Sequence, residues 1–283
     1  MPFDPAAFRD DSLDGWERAA RGWGERRAVI QDAGQPVSAW LIDAIEPQPG
    51  HRVLELAAGT GDTGFMAAEL IEPGGALISS DAAPAMVEQA RARAAELGVT
   101  NVEFRTIDAE RIDLPTAHVD GVLARWVYML VADPDSALRE TRRVLRPGGR
   151  VALAAWADQD DNPWASVARQ ELLRMGATEP PDPDEPDMFA FHDPERIEEL
   201  LGDAGFTEIQ VESLDIVFRY DDLDHRWDAQ LDLSPGLSDT VSGLTRAQRD
   251  DLRHAIDAQL AVYVSDDGTV AVPGRTHVAA ATA

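Results

Sequence analysis

The stretch Val53-Leu54-Glu55-Leu56-Ala57-Ala58-Gly59-Thr60-Gly61-Asp62-Thr63-Gly64 decides how the chain folds, because an apolar run breaks there into a glycine-rich turn. A strand ending in Gly-x-Gly lets backbone approach a ligand closely, since a Cβ would stand in the way. The helix that follows aims its free N–H groups at whatever occupies that space. A second run, Ala76-Leu77-Ile78-Ser79-Ser80, is strand-like and ends in Asp81, twenty residues past Gly61. A carboxylate at that place can accept both hydroxyls of a ribose. Turn and carboxylate together point to a nucleoside-containing cofactor.

The 283 residues can bury a substantial core, and one domain with insertions suits that length better than two equal ones. Fifty-two acidic residues against 25 basic ones leave a formal net charge of −27, and every basic residue is arginine. Without lysine there is no Schiff base, no pyridoxal phosphate anchor and no P-loop. The acidic excess argues against nucleic acid and anionic membranes as partners, since both need a basic surface. Solubility or adaptation to high salt is the ordinary reason for such a charge. The absence of cysteine removes disulfides, thiolate catalysis, Fe–S clusters and cysteine-type zinc. The six histidines show neither H-x-x-H nor H-E-x-x-H spacing, so no metal is expected. Met1-Pro2-Phe3-Asp4-Pro5 lacks the basic start and apolar run of a secretory signal, and no stretch approaches roughly 18 apolar residues. The expectation is a soluble cytoplasmic protein.

Residues 1–49 read as a helical cap. Trp16, Ala19, Ala20 and Trp23 share one face, and a second helix over 29–45 carries Val37, Trp40, Leu41 and Ile45. Packing is the ordinary role of such aromatics; covering a ligand is the alternative for Trp23. From residue 50 the patterns alternate, with strands at 53–56, 76–80, 102–106, 119–124 and 150–155 and helices at 63–70, 84–97 and 134–145. Gly98 stands where a left-handed cap favours glycine, and Asp133 where an N-cap favours aspartate. This alternation implies an α/β fold with a parallel sheet covered on both faces. Beyond it come a helix at 164–175, the loop Glu179-Pro180-Pro181-Asp182-Pro183-Asp184-Glu185-Pro186 (a solvated segment or a lid), a helix from Asp193-Pro194 to Leu201 and a strand at 209–220. A helical insertion over 221–266, whose last helix opens with the capping-box pattern Thr245-x-x-Gln248, precedes a closing strand at 269–278.

Gly59 to Gly64 satisfies G-x-G-x-x-G literally, so a nicotinamide dinucleotide has to be weighed. Three features pull away from it. Glu55 sits inside the first strand, four residues before Gly59, where hydride-transfer proteins usually place a small or apolar residue. Ile107-Asp108-Ala109-Glu110 follows the third strand and offers a carboxylate to an adenine amino group. Leu145-Arg146-Pro147-Gly148-Gly149-Arg150 runs directly into the fifth strand. In these features residues 50–157 resemble the class I S-adenosylmethionine-dependent methyltransferases, and most of all the ubiquinone/menaquinone-biosynthesis branch and the small-molecule methyltransferases around it. The family's first motif is acid-x-Gly-x-Gly-x-Gly; here Ala57 replaces its first glycine. Arg125-Trp126-Val127-Tyr128-Met129-Leu130 departs from the quinone enzymes proper.

The resemblance implies a Rossmann-like, seven-stranded, mostly parallel sheet with helices on both faces, forming one domain over 1–283. Residues 50–157 would be its cofactor-binding core, with 158–192 and 221–266 as substrate-side insertions. It also implies S-adenosylmethionine as cofactor. Gly59, Thr60 and Gly61 would line the methionine portion and ribose, with Glu55 at the amino end. Asp81 would take the ribose hydroxyls, with Ala82 and Met86 against the adenine. Asp108 would accept from the adenine amino group beside the Ala109 N–H, and Arg125 and Trp126 would border the sulfonium. An NAD-dependent oxidoreductase and a non-catalytic cofactor-binding partner protein are the competing readings.

Methyl transfer is an in-line displacement from a good leaving group, so orientation supplies much of the rate and no metal is needed. A base is required only when the acceptor atom is protonated at neutral pH. The candidates are His192, between Phe191 and the Asp193-Pro194 helix start, and Tyr128, just past the fourth strand; proximity without a base is the third option. Trp156, Trp164, Phe189, Phe191 and Trp227, with Trp23, would wall a pocket for a small apolar or aromatic acceptor methylated on oxygen or carbon rather than nitrogen. The expected assembly is a monomer or homodimer.

Overall fold

The computed structural model describes residues 3–180, 182 and 185–283. Two helices, α1 (Pro5–Glu25) and α2 (Arg27–Ala44), precede β1 (Arg52–Glu55). Then follow α3 (Asp62–Leu70), β2 (Ala76–Asp81), α4 (Pro84–Leu97), β3 (Val102–Thr106), β4 (Val119–Arg125), α5 (Pro134–Val144) and β5 (Leu145–Trp156). The C-terminal part contains α6 (Pro163–Arg174), α7 (Pro194–Asp203), β6 (Thr207–Tyr220), α8 (Leu223–Leu233), α9 (Pro235–Ser242), α10 (Arg246–Leu260) and β7 (Val270–Thr282). The acidic proline-rich loop expected at 179–186 lies in part outside the described residues, as do Met1 and Pro2.

The strands form one sheet in the order β3-β2-β1-β4-β5-β7-β6. β1 pairs in parallel with β2 and β4, and β7 runs antiparallel between β5 and β6. Val53, Leu54, Leu77, Val122 and Leu123 are fully or almost fully buried, as central parallel strands between two helical layers must be. Local signals hold the ends: Asp133 accepts the Ser136 N–H at 2.9 Å, Thr245 and Gln248 form their reciprocal cap, and Gly98 takes φ 71°.

The boundaries around residue 145 and at the end of the last strand differ from the sequence expectation. The helix expected to reach Leu145 stops at Val144, and the strand expected from Arg150 begins at Leu145. Leu145 already pairs with Val119, and the register then shifts so that Arg150 faces Gly121. Pro147-Gly148-Gly149 is therefore an irregularity inside a strand, with Gly148 at φ 80°. The last strand continues past 278 because Ala279, Ala280 and Thr282 pair on both sides, with β5 and with β6, and Ala281 pairs with β5. An alanine run has little intrinsic strand preference, so only tertiary pairing reveals it.

An acidic excess of this size makes the folded state repel itself. Raising sodium chloride from about 0.1 M to about 1 M shortens the screening length from roughly 10 Å to roughly 3 Å. The thermal midpoint should rise over that range; a flat midpoint would mean the surface ion pairs already balance the repulsion.

Candidate active site

Strand order reverses between β1 and β4, and open α/β sheets bind ligands at the carboxyl edge beside such a switch. Two non-glycine residues are held in left-handed conformation there: Ala57 after β1 (φ 46°) and Trp126 after β4 (φ 61°). Such strain persists where surrounding contacts enforce it. Trp126 donates its backbone N–H to Ala154 O at 2.8 Å and its indole N–H to Thr276 Oγ1 at 2.9 Å. Ala57 is exposed and stands at the glycine position of the resembled motif. Relieving the left-handed cost outweighs the added chain entropy of glycine, so Ala57→Gly should stabilise the fold by about 0.5–1 kcal/mol in denaturant unfolding. A destabilised variant would show that the Ala57 methyl makes contacts worth more than the strain.

Beyond Ala57 the turn is built around carboxylates. Asp81 accepts the Gly59 N–H on Oδ2 and the Ala83 N–H on Oδ1, each at 3.0 Å, and Ala58 donates to Ser80 O at 2.8 Å. Burial raises the Asp81 carboxyl to about 6 although the Ala83 and Gly59 N–H groups oppose the shift. Glu55 accepts the Gly64 N–H on Oε1 at 2.8 Å, which braces the first turn of α3. Its Oε2 is buried with no partner among the described residues. Burial raises Glu55 to about 8, opposed by the Gly64 N–H and then by Arg125. Burial lowers the Arg125 guanidinium, which donates to Ser38 Oγ at 3.2 Å and lies 4.8 Å over the Trp126 ring. The Thr60 hydroxyl is spent within the turn on Asp62 Oδ2, at 2.8 Å.

Helix α1 closes over this turn. The Trp23 ring lies 3.6 Å from where a Gly59 Cβ would stand, and its indole N–H donates to Leu233 O at 3.1 Å. Ala19 and Ala20 pack on Ala83 and Met86, and Glu17 accepts the Ala85 N–H at 3.2 Å. Arg9 pairs with Glu110 at the far end of the helix. Sequence periodicity showed the Trp16–Trp23 face; it carried no sign of the Glu17 and Arg9 anchors, which depend on where α1 lands. Ala82 is exposed, Ala109 is buried, and the exposed Asp108 accepts the Glu110 N–H at 2.9 Å.

On the other side of β4 the aromatics form a row. Trp126 stacks on Trp156 with centroids 4.2 Å apart, Trp156 meets Trp164 at 4.8 Å, and Trp164 meets Phe218 at 4.3 Å. Phe218, at the end of the long β6, went unnoticed in the sequence because a strand pattern does not say which residues its far end will meet. Phe189, Phe191 and Trp227 are buried but make no ring contact with the row. Phe189 sits under Arg169 and Trp227 under Arg253 instead. Of the five aromatics expected around an acceptor, Trp156 and Trp164 join this row with Trp126 and Phe218, and Phe189, Phe191 and Trp227 stand apart from it.

The two base candidates part company. The Tyr128 hydroxyl is buried at 2.7 Å from Thr141 Oγ1, and burial raises its pKa above the ordinary tyrosine value. A phenol facing α5 in the core takes no proton from a bound acceptor, so the structure corrects that expectation. The His192 ring is exposed, and its Nδ1 lies 2.9 Å from Phe189 O. A carbonyl only accepts, so Nδ1 is the donor in this bond. The His192 carbonyl accepts from His277 Nε2 at 2.8 Å, and His277 pairs with Ala155, which fixes the loop beside the end of β5.

Sheet order, switch-point turn and carboxylate-ended second strand define a class I, Rossmann-like methyltransferase fold. The family model described as "Methyltransferase domain" matches residues 47–205, and the chain belongs to that family. It is 40% identical over 118 residues to the ubiquinone/menaquinone biosynthesis C-methyltransferase UbiE of Pseudomonas savastanoi pv. phaseolicola, covering 40% of this chain and 46% of that protein. It is 34% identical over 120 residues to the aklanonic acid methyltransferase DauC of Streptomyces sp. strain C5, covering 42% of this chain and 54% of that one. The chain spans about half the length of the curated relatives it matches. In fold it is similar to the YcgJ protein of Bacillus subtilis, with TM-score 0.58 and 21% identity over 88% of this chain and 98% of the other. By family the chain carries a methyltransferase domain, and by fold it is Rossmann-like.

Proposed function

We propose that the protein moves a methyl group from S-adenosylmethionine to an oxygen or carbon of a small, apolar or aromatic acceptor. The observation that carries this reading is the pair of buried carboxylates around the glycine turn, one of them with an unpartnered oxygen. That set fits the cofactor. Asp81 would receive the ribose hydroxyls on its remaining lone pairs, Glu55 the amino group (directly or through water), and Arg125 the carboxylate. The turn from Gly59 to Gly61 gives close backbone approach, with Ala82, Met86, Asp108 and Ala109 around the adenine. When bound, the cofactor supplies an electrophilic methyl on a good leaving group.

This chain's own residues then bind, orient and exclude water. Trp23 and the rest of α1 cover the cofactor side, while the stacked, buried pair Trp126 and Trp156 backs the acceptor side. For an acceptor bearing a proton, His192 Nε2 is the base in this reading; for any other acceptor, alignment alone serves. Among the described residues no helix is long and apolar enough to cross a membrane. The relatives named for C-methyl transfer and for aklanonic acid support an acceptor of that size. The reading treats residues 1–283 as one domain.

Calorimetry with S-adenosylhomocysteine and with NAD decides between the methyltransferase and oxidoreductase readings. Micromolar binding of the first and none of the second is the expected result. Binding of NAD alone would replace the proposal by hydride transfer, and tight S-adenosylhomocysteine binding without turnover on any acceptor would favour a non-catalytic partner protein.

A further inference from the structure

Helix α1 meets the carboxyl ends of three neighbouring strands in the order of the sheet. Trp23 stands over Gly59 after β1, Glu17 takes the Ala85 N–H after β2, and Arg9 pairs with Glu110 after β3. At 1.5 Å per residue these three points lie about 9 Å and about 12 Å apart along the helix. The two ends of α1 are held differently. At the C-terminal end a Cβ on Gly22 would stand 2.5 Å from Asp232 O, so the backbones of α1 and α8 touch there. Trp23 donates to Leu233 O at 3.1 Å and Arg26 Nε to Asp232 Oδ2 at 2.8 Å, which ties the same end to α8 again. From Pro5 to Asp14, by contrast, no residue is buried. That half of the helix reaches the core through Arg9, whose Nε donates to Glu110 Oε2 at 3.0 Å. The Glu110 side chain is only 9% exposed, against 41% for Arg9. Its other oxygen, Oε1, accepts the Ala132 N–H at 3.0 Å. One carboxylate therefore joins α1 to the loops that follow β3 and β4.

We propose that Glu110 is a positioning residue for the cofactor: with Arg9 it latches the free end of α1, and the pair opens each time the cofactor product leaves. The inference rests on the methyltransferase reading and deepens it. The Trp23 ring is already in van der Waals reach of the Gly59 turn, so a molecule seated on that turn enters and leaves past an undocked α1. The C-terminal end stays packed on α8 and acts as the fixed end. Glu110 touches no reacting atom; it acts through Arg9 and through the loop that carries Asp108 and Ala109.

The test is the release rate of radiolabelled S-adenosylhomocysteine into an excess of the unlabelled compound, with Kd taken from calorimetry. Arg9→Gln and Glu110→Gln should each speed release about two- to fivefold, the range of a partly exposed ion pair. Glu110→Gln keeps an acceptor oxygen for the Ala132 N–H, so it removes the latch charge alone. The double variant should release no faster than the faster single one, because both remove the same contact. Arg9→Lys, which keeps the charge, should restore the wild-type rate. A purely structural pair would lower the urea midpoint of the glutamine variants and leave release untouched. Unchanged release in Arg9→Gln, effects that multiply in the double variant, or release from Arg9→Lys as fast as from Arg9→Gln would each overturn the inference. Arg9 is exposed, so the Arg9 arms decide the matter should Glu110→Gln fail to fold by circular dichroism. Wild-type protein that binds no S-adenosylhomocysteine would instead sink the methyltransferase reading, which separates the two failures.

Discussion

Replacing Asp81 by alanine is expected to weaken S-adenosylhomocysteine binding by about 1.5–3 kcal/mol, roughly 10- to 150-fold in Kd. Two losses add. The ribose hydroxyls lose a charged acceptor, and the Gly59 and Ala83 N–H groups lose the oxygens that hold the turn against the end of β2. Asp81→Asn keeps one acceptor oxygen and should fall between wild type and alanine. The same carboxylate gives binding a pH dependence. With its pKa raised to about 6 in the free protein, Asp81 accepts both hydroxyls well above that pH and progressively less below it. Affinity measured by calorimetry should therefore fall as pH drops through 6. The contribution to folding has the opposite sign: the folded state holds this proton more tightly than the unfolded chain, so the stability from Asp81 is full below pH 3.8 and lost as pH rises through about 6. An affinity unchanged in Asp81→Ala would remove this residue from the site.

Much of that site was legible because its parts are local. A glycine pair after an apolar run, an aspartate at the end of the next strand and a proline-started helix after it each follow from short-range rules. Strands were legible where apolar runs mark them, as in β1 and β4, and illegible in the alanines that end β7. The acceptor side was read least well. Phe189, Phe191 and Trp227 have the same composition signal as Trp156 and Trp164, but whether a buried aromatic faces a ligand or the core depends on how α6, α8 and the end of β6 converge. Tyr128 shows the same limit: its position after β4 placed it at the sheet edge, while a rotation of the backbone through Val127 turned its hydroxyl to Thr141.

Glu55→Gln carries the largest expected effect and tests the energetic cost of the site. The raised pKa means that Glu55 binds its proton more tightly in the folded protein than in the unfolded chain. Its contribution to stability is full below pH 4.5 and is lost as pH rises through about 8. Above pH 8 the fold carries a buried carboxylate with one unpartnered oxygen. The glutamine variant has no charge to bury, so near pH 9 it should be more stable than wild type, by a difference on the order of 4 kcal/mol. The two proteins should converge near pH 4.5, a trend that urea titrations across the range would follow. Function runs the other way. At pH 7 the free protein holds Glu55 mostly protonated, and an ammonium group arriving beside it favours the ionised form. Cofactor binding should then release up to about one proton, visible as a dependence of the calorimetric enthalpy on the ionisation enthalpy of the buffer. Glu55→Gln should abolish the release and weaken binding while the fold gains stability. Proton release that persists in the variant would assign the proton to another group and leave Glu55 as a brace for α3 alone.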